Sequence, residues 1–273
     1  NRDQIPYFEL AANHRAHLTA LVTTVATPGA RLCVLGAGNC YDLDIERMAT
    51  LFAEVHLVDL DPDALARAWK RINPLVRPRV IRHAPVDLTG MLSELGRWRS
   101  LAVSEEEVRL HPGVTAAAIN ALVGGPFEVV VSACVLTQMQ LSILEALSDQ
   151  HPLFVAARET VNLTHLRTLS RMLTPGGFAL LATDVTSSHT YPLGEVDGIA
   201  DLRPLLNQLV AAENVFQAVH PARWHAMVVG DPVLTREVRL SKPLDVWLWQ
   251  INPMLAFLVY AFALRRHDAP AMG

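Results

Sequence analysis

Five times between residues 31 and 185, a short apolar run gives way to a segment of helical periodicity. The runs are "RLCVLG", "EVHLVD", "RVIRHAPVDL", "FEVVVSACVL" and the stretch after "LTPGG". A continuously apolar run marks a strand covered on both faces. Strands alternating with helices predict a parallel, doubly wound sheet with right-handed crossovers. The expected class is therefore α/β, and 273 residues are ample for one buried core.

The punctuation between runs places the elements. Residues 8–26 read as an amphipathic helix with Leu10, His14, Leu18, Leu21 and Val25 at helical spacing, stopped by Thr27-Pro28-Gly29. A second helix is expected over 42–53 and a second strand over Val55–Val58. Asp61 reads as the cap of a third helix, with Pro62 in first position and Asp63 in the first turn. The third strand is expected to end near Asp87. Residues 91–123 read as mainly helical with a polar interruption at 104–113, and Gly124-Gly125-Pro126 stops them. Helices are expected over 137–147 and 152–173. Residues 185–243 break the rhythm, with one helix near 199–212 and irregular chain after it. "LDVWLWQI" and "LAFLVYAFAL" close the chain as two strands joined at Asn252-Pro253. The expected organisation is an N-terminal helical segment at 1–28, a candidate lid, and a main domain at 29–273 with an inserted substrate cap at 185–243.

Composition removes several classes. A net charge of −4 carries no basic footprint for nucleic acid. Three cysteines without C-x-x-C argue against a disulfide scaffold or thiolate zinc site and fit a reducing cytoplasm. "NRDQIPYFEL" is mixed polar and reads as no signal peptide. The most apolar stretch, 246–264, is broken by Gln250, Asn252 and Pro253, so no half reaches the roughly 20 apolar residues of a span.

The glycines that end the first run decide the ligand class. Ligands of open α/β sheets bind at the strands' carboxyl ends, where glycine lets the backbone approach and a helix N-terminus offers free N–H groups. A dinucleotide turn needs G-x-G-x-x-G, and the third position here is Tyr41. The P-loop pattern is absent. "VLGAGNC" instead resembles the hydrophobic-x-G-x-G-x-G turn of the class I S-adenosylmethionine-dependent methyltransferases. The resemblance continues in Asp59, 21 residues after Gly38, in Asp87, in "FEVVVSACVL" and in "LTPGGFALLA", and covers roughly residues 30–183 and 244–264.

The resemblance implies a mostly parallel seven-stranded sheet with one antiparallel strand from the C-terminal hairpin. It implies S-adenosylmethionine as cofactor, held by Gly36, Ala37, Gly38, Asn39, Asp42, Asp59, Leu60, Asp87, Leu88, Ser132, Ala133 and Cys134. Asp59 would take both ribose hydroxyls, a role that suits a carboxylate; Asp87 would meet the adenine amino group. The sequence departs from the family in two places. Val34 stands where an acid is common, with Asp42 or Asp44 as replacement, and Cys40 stands at the third glycine. Each residue also has a plainer reading: Asp42 and Asp44 as helix-start acids, Asp87 as a turn residue, Cys134 as a small buried hydrophobe.

The implied reaction is in-line methyl transfer to a small or medium organic substrate, with S-adenosylhomocysteine released. Where the nucleophile is a hydroxyl or ammonium, a base is needed, and Asp184, His189 and Tyr191 are the candidates. Tyr191, Phe216, His220, Arg223, Trp224 and His225 would line the cap, although Trp224 equally suits a core. His14-x-x-His17 is a conceivable metal pair, but a surface or lid role is favoured and no metal is expected; His165 reads as structural. "SACVLTQM" lacks the Asn-Pro-Pro-Tyr-like segment of nucleic-acid amino methylation. Expected partners are thus a small-molecule substrate, with no nucleic acid and no membrane span; a homodimer is compatible. The competing readings are an aminopropyl transferase-like enzyme, a non-catalytic S-adenosylmethionine-binding subunit and, less well, a nicotinamide-dependent reductase. 

Overall fold

The computed structural model describes residues 6–100, 103–110, 112–196 and 198–268, so both ends of the predicted organisation, 1–5 and 269–273, lie outside the described residues. The strands are β1 (Arg31–Leu35), β2 (Glu54–Val58), β3 (Val80–His83), β4 (Phe127–Ala133), β5 (Leu173–Ser187), β6 (Val238–Leu240), β7 (Asp245–Asn252) and β8 (Leu255–Arg266). The helices are α1 (Ala12–Thr23), α2 (Ile45–Leu51), α3 (Pro62–Arg71), α4 (Leu92–Ser100), α5 (Glu105–Arg109), α6 (Pro112–Val123), α7 (Leu136–Leu147), α8 (Phe154–Met172), α9 (Arg203–Ala211), α10 (Pro221–Gly230) and α11 (Pro232–Glu237).

The sheet runs β3-β2-β1-β4-β5-β8-β6, with β7 also on β8. β1 to β5 pair parallel; β8 pairs antiparallel with β5, β6 and β7. β6 and β7 share one edge of β8, so eight strands fill the seven positions expected and only β8 runs against the rest. Pro243 explains the split, since it has no N–H to give the ladder. Ser241 bridges the gap: its N–H donates to Ala263 O at 2.8 Å and its hydroxyl accepts from Ala263 N at 2.8 Å. Strand order reverses between β1 and β4, which puts the switch point at their carboxyl ends.

Alternate side chains feed two cores. Cys33, Leu35 and Val130 face the layer of α4–α11, together with Trp98, Ile143, Leu169 and Trp224. Leu32, Val34 and Val131 face α1–α3, together with Leu18, Met48 and Leu65. No helix among the described residues is long and apolar enough to cross a membrane.

Several expectations are corrected. β3 stops at His83, because Pro85 offers no donor; Asp87 lies beyond the strand, held by Val86 N–H on Asp59 O at 2.9 Å. The Pro-Gly-Gly turn is a bulge within β5, where pairing slips between Phe127/Leu173 and Val129/Phe178, with Gly176 at φ +74. α1 begins only at Ala12, so its buried face is His14, Leu18, Thr19 and Val22, and Leu10 stays exposed ahead of it. The stretch expected to be irregular after 212 holds α10 and α11, capped by His220 and Asp231 with a proline following each.

Candidate active site at the carboxyl ends of the first, fourth and fifth strands

The turn after β1 is hooked onto β2 by its backbone. Gly36 and Ala37 N–H groups both donate to Val58 O, at 2.9 and 3.0 Å. Gly36 (φ +72) and Gly38 (φ +50) occupy the left-handed region, and so does Cys40 (φ +54). That region favours glycine, so Cys40 carries about 1–2 kcal/mol of strain where the resembling turn has its third glycine. A Cβ on Gly36 would lie 2.6 Å from Val135 Cβ; the glycine lets the ends of β1 and β4 touch.

Asp59, one residue past β2, closes the turn. Its Oδ2 accepts Gly38 N–H at 2.7 Å and its Oδ1 accepts Asp61 N–H at 2.8 Å. Burial raises its carboxyl above the ordinary value, against the lowering effect of these N–H groups. The Leu60 N–H adds a third backbone donor, which leaves one of the carboxylate's four acceptor sites. Asp59 faces a cavity of about 110 Å³ between Gly36, Val135, Leu60, Leu88 and Met139. Asp87 also lines it, but its carboxylate is engaged: Oδ1 accepts Thr89 N–H (2.8 Å) and hydroxyl (2.6 Å), and Oδ2 accepts Leu92 N–H (3.0 Å).

A second group lies where β4 and β5 end. Cys134 (φ +49) donates its N–H to Ala182 O at 3.0 Å. Its thiol is pushed well up by burial and then by the charges of Asp184 and Asp42, so it stays protonated and is no nucleophile. Asp184 is buried and accepts the Thr137 hydroxyl at 2.6 Å. Burial pushes its carboxyl up to about 6, with the Thr137 bond opposing. Asp42 stands 3.4 Å from His14 Nε2. His14 is fully buried, stacks on Trp249 at 4.4 Å and accepts Trp247 Nε1–H on Nδ1 at 2.8 Å, so its proton sits on Nε2, toward Asp42. α1 is tied down further by Asn13 on Leu248 O (3.1 Å) and His17 on Asp245 (2.6 Å). His14 and His17 thus face separate partners, and among the described residues no group of three or more His, Cys, Asp or Glu is arranged for a metal.

The structure therefore gathers Gly36, Gly38, Asp59, Leu60 and Leu88 at one end and Asp42, Cys134 and Asp184 at the other. Other candidates turn away. Asn39 accepts Arg67 Nε–H at 3.1 Å on its side chain. Ser132 pairs with His165 Nε2 at 2.8 Å beneath the sheet; burial holds His165 down at about 4, hence neutral. Ala133 is buried in the core on the α1–α3 side. Asp44 caps α2 through Arg47 N–H at 3.0 Å. His189 is exposed and Tyr191 packs beside the α4–α11 core; among the described residues no hydrogen bond joins either to Asp184. Trp224 is core, its Nε1–H on Val219 O at 3.2 Å; His220 caps α10, and Arg223 and His225 are exposed. Two contributors escape sequence reading. Val135 follows a strand unremarkably, and only its fit against Gly36 marks it. Thr137 had one cue: a polar residue in the first turn of the helix after β4.

This sheet order, with its single reversed strand and its glycine turn at the switch point, is the fold of the S-adenosylmethionine-dependent methyltransferases. The chain is similar to such a methyltransferase from Methanosarcina mazei (TM-score 0.51, 10% identity, 91% of this chain and 98% of that one). It is likewise similar to one from Anabaena variabilis (TM-score 0.50, 14% identity, 94% and 86%). No family model matches the chain, and no curated protein matches it.

Proposed function

We propose that the chain is an S-adenosylmethionine-dependent methyltransferase acting on a small or medium organic acceptor. The observation that carries this reading is Asp59: a carboxylate at the end of β2, tied to the glycine turn by Gly38 N–H and facing a cavity walled by Gly36, Leu60, Leu88, Val135 and Met139. That arrangement suits a ribose hydroxyl with a flat base beyond it. The residues fit the cofactor, with Leu60 and Leu88 flanking the base and Asp42 at the other end available to its ammonium. The cavity of about 110 Å³ beside Asp59 is where the nucleoside end is placed in this reading.

When bound, the sulfonium supplies an already activated methyl group. The chain's work is then to position the acceptor, exclude water and take a proton. Asp184 is the base in this reading: buried, oriented by Thr137 and ionised above about pH 6. His189 and Tyr191, on the turn that follows β5, are the candidates for contact with the acceptor. Net charge −4 favours a small molecule over nucleic acid, and three free cysteines suit a cytoplasmic setting.

The test is calorimetric titration with S-adenosylmethionine, S-adenosylhomocysteine and NADH in parallel. The expected result is micromolar binding of the first two, abolished by Asp59→Ala. Preference for NADH, or no binding of either sulfur compound, would overturn it. 

A further inference from the structure

A second cavity has a lining separate from that of the glycine turn. It measures about 660 Å³ and lies between α8, α10 and the end of α5, and it shares no residue with the cavity beside Asp59. Val155, Leu163, Ala226 and Met227 give it apolar walls. Its charged groups are unbalanced: Arg109, Arg158 and Arg223 against Glu159 alone, a formal +2 in a chain of net charge −4.

The one carboxylate is spoken for, since Glu159 pairs with Arg109 at 2.9 Å. Among the described residues no carboxylate comes within 4.0 Å of Arg158 or Arg223. Arg158 is half-buried and its proton affinity is lowered, first by burial and then by the charge of Arg223, with Glu159 opposing; Arg223 Nη2–H donates to Gln217 Oε1 at 3.3 Å, a neutral partner that leaves its charge uncompensated. Arg158 is also held in place. Its Nε–H donates to Gln140 Oε1 at 3.0 Å; Gln140 in turn donates to Asn162 Oδ1 at 2.8 Å, and Asn162 donates to Ala218 O at 2.7 Å. Gln140 and Asn162 are buried, so the guanidinium rests on a fixed polar network rather than on mobile surface chain. Independently, Thr160 lines the same cavity with a hydroxyl that is buried and has no hydrogen-bond partner. A buried polar group left unsatisfied costs about 1–3 kcal/mol and points to a missing partner.

We propose that this cleft is a second small-molecule site, binding an organic anion whose carboxylate or phosphate sits between Arg158 and Arg223 within reach of the Thr160 hydroxyl, with its apolar body against Leu163 and Met227. Planar guanidiniums match both head groups in fork geometry, and the apolar walls exclude a bare inorganic ion as the natural occupant.

The experiment is calorimetric titration of the whole chain with 1-naphthoate and 1-naphthyl phosphate, against 1-naphthylmethylammonium as the charge-reversed control. One saturable site is expected for at least one anion, and the better of the two identifies the head group. The cation should bind at least tenfold more weakly. Arg223→Gln, an exposed position, should weaken the anion at least tenfold while leaving the melting temperature unchanged; Arg158→Gln should weaken the anion by at least as much. Should Arg158→Gln fail to fold, Arg223→Gln decides alone. Binding of neither anion, equal binding of the cation, or unchanged affinity in Arg223→Gln would overturn the proposal.

Discussion

The turn between β1 and α2 and the helical segment between β5 and β6 are both long excursions from the sheet, yet different forces hold them. The first is fastened by backbone groups: two N–H bonds on Val58 O, one on Asp59, and glycine at φ values other residues resist. The second is fastened by burial. Leu205, Leu206, Leu209, Val219 and Trp224 enter the core, and Trp224 Nε1–H and Tyr260 O–H both end on Val219 O, at 3.2 and 2.7 Å. One region should thus be sensitive to conformational freedom at single positions, and the other to lost volume.

The sharpest break is Trp224→Ala. Removing a fully packed indole is expected to cost about 3–5 kcal/mol in urea unfolding. Cofactor-turn binding in the folded fraction should be unchanged, because Trp224 shares no contact with that turn. A loss under about 1 kcal/mol would mean the segment is not packed as described. Gly36→Ala is the counterpart: a left-handed φ and a 2.6 Å clash with Val135 Cβ together should cost about 2–4 kcal/mol. Gly29→Ala shares the left-handed φ but meets nothing within 4 Å, so it should cost only about 1–2 kcal/mol. Val135→Ala added to Gly36→Ala should recover the steric part and not the φ part. Equal losses at Gly29 and Gly36 would show that the contact is unimportant.

The same contrast explains what could be read from the chain. The glycine turn, Asp59 and the cap at Asp61 were legible because few residue types satisfy a positive φ or a free helix N–H, so identity reports geometry. Residues 212–237 were not, because Phe216, Trp224 and Val228 are apolar in any fold and their spacing is divided among short helices. A cue was nevertheless present. Asp231-Pro232 repeats the pattern of Asp61-Pro62, a cap followed by proline in first position, and the structure uses both. Asp184 was legible as a candidate from its place at the end of an apolar run; its environment was not, since Thr137 and Cys134 reach it from another strand's end.

Asp184 tests the boundary between the two regions, since it lies on β5 just before the helical segment and faces Cys134 across the switch-point side. Its folded carboxyl titrates at about 6, above the ordinary value. A raised value means the folded state holds its proton more tightly. The associated stability is complete below the ordinary carboxyl range and is lost as pH rises through about 6, a change on the order of 3 kcal/mol. Asp184→Asn should flatten that slope, so the variant gains on the parent at pH 8 and not at pH 4. Under the proposed mechanism the parent's methyl transfer should rise with pH through the same window, and the variant's should not. A parental stability curve without a slope there would remove Asp184 as a buried acid.

The smallest expected difference is between the two capping aspartates, and it isolates burial from capping. Asp61 accepts Asp63 and Ala64 N–H at 2.9 and 3.1 Å in an exposed setting, with Arg67 at 3.4 Å. Its replacement by alanine should cost about 1 kcal/mol, the ordinary value of a cap. Asp231 makes the equivalent bond to Leu234 N–H at 2.9 Å but is buried and paired with Arg167 at 2.5 Å. Burial pushes its carboxyl up, and the Arg167 pair with the cap N–H groups outweighs this and holds it below the ordinary value. Its stabilisation is therefore present above the ordinary carboxyl range and lost on acidification. Asp231→Ala strands a largely covered guanidinium as well as a helix end, so about 2–3 kcal/mol is expected at neutral pH. The excess over Asp61→Ala should shrink at low pH, where both carboxylates are protonated, and be recovered in part by Asp231→Asn, which keeps the cap and gives up the charge. Equal losses at both positions would mean that the Arg167 pair adds nothing to α11, and that the helical segment is held by apolar burial alone.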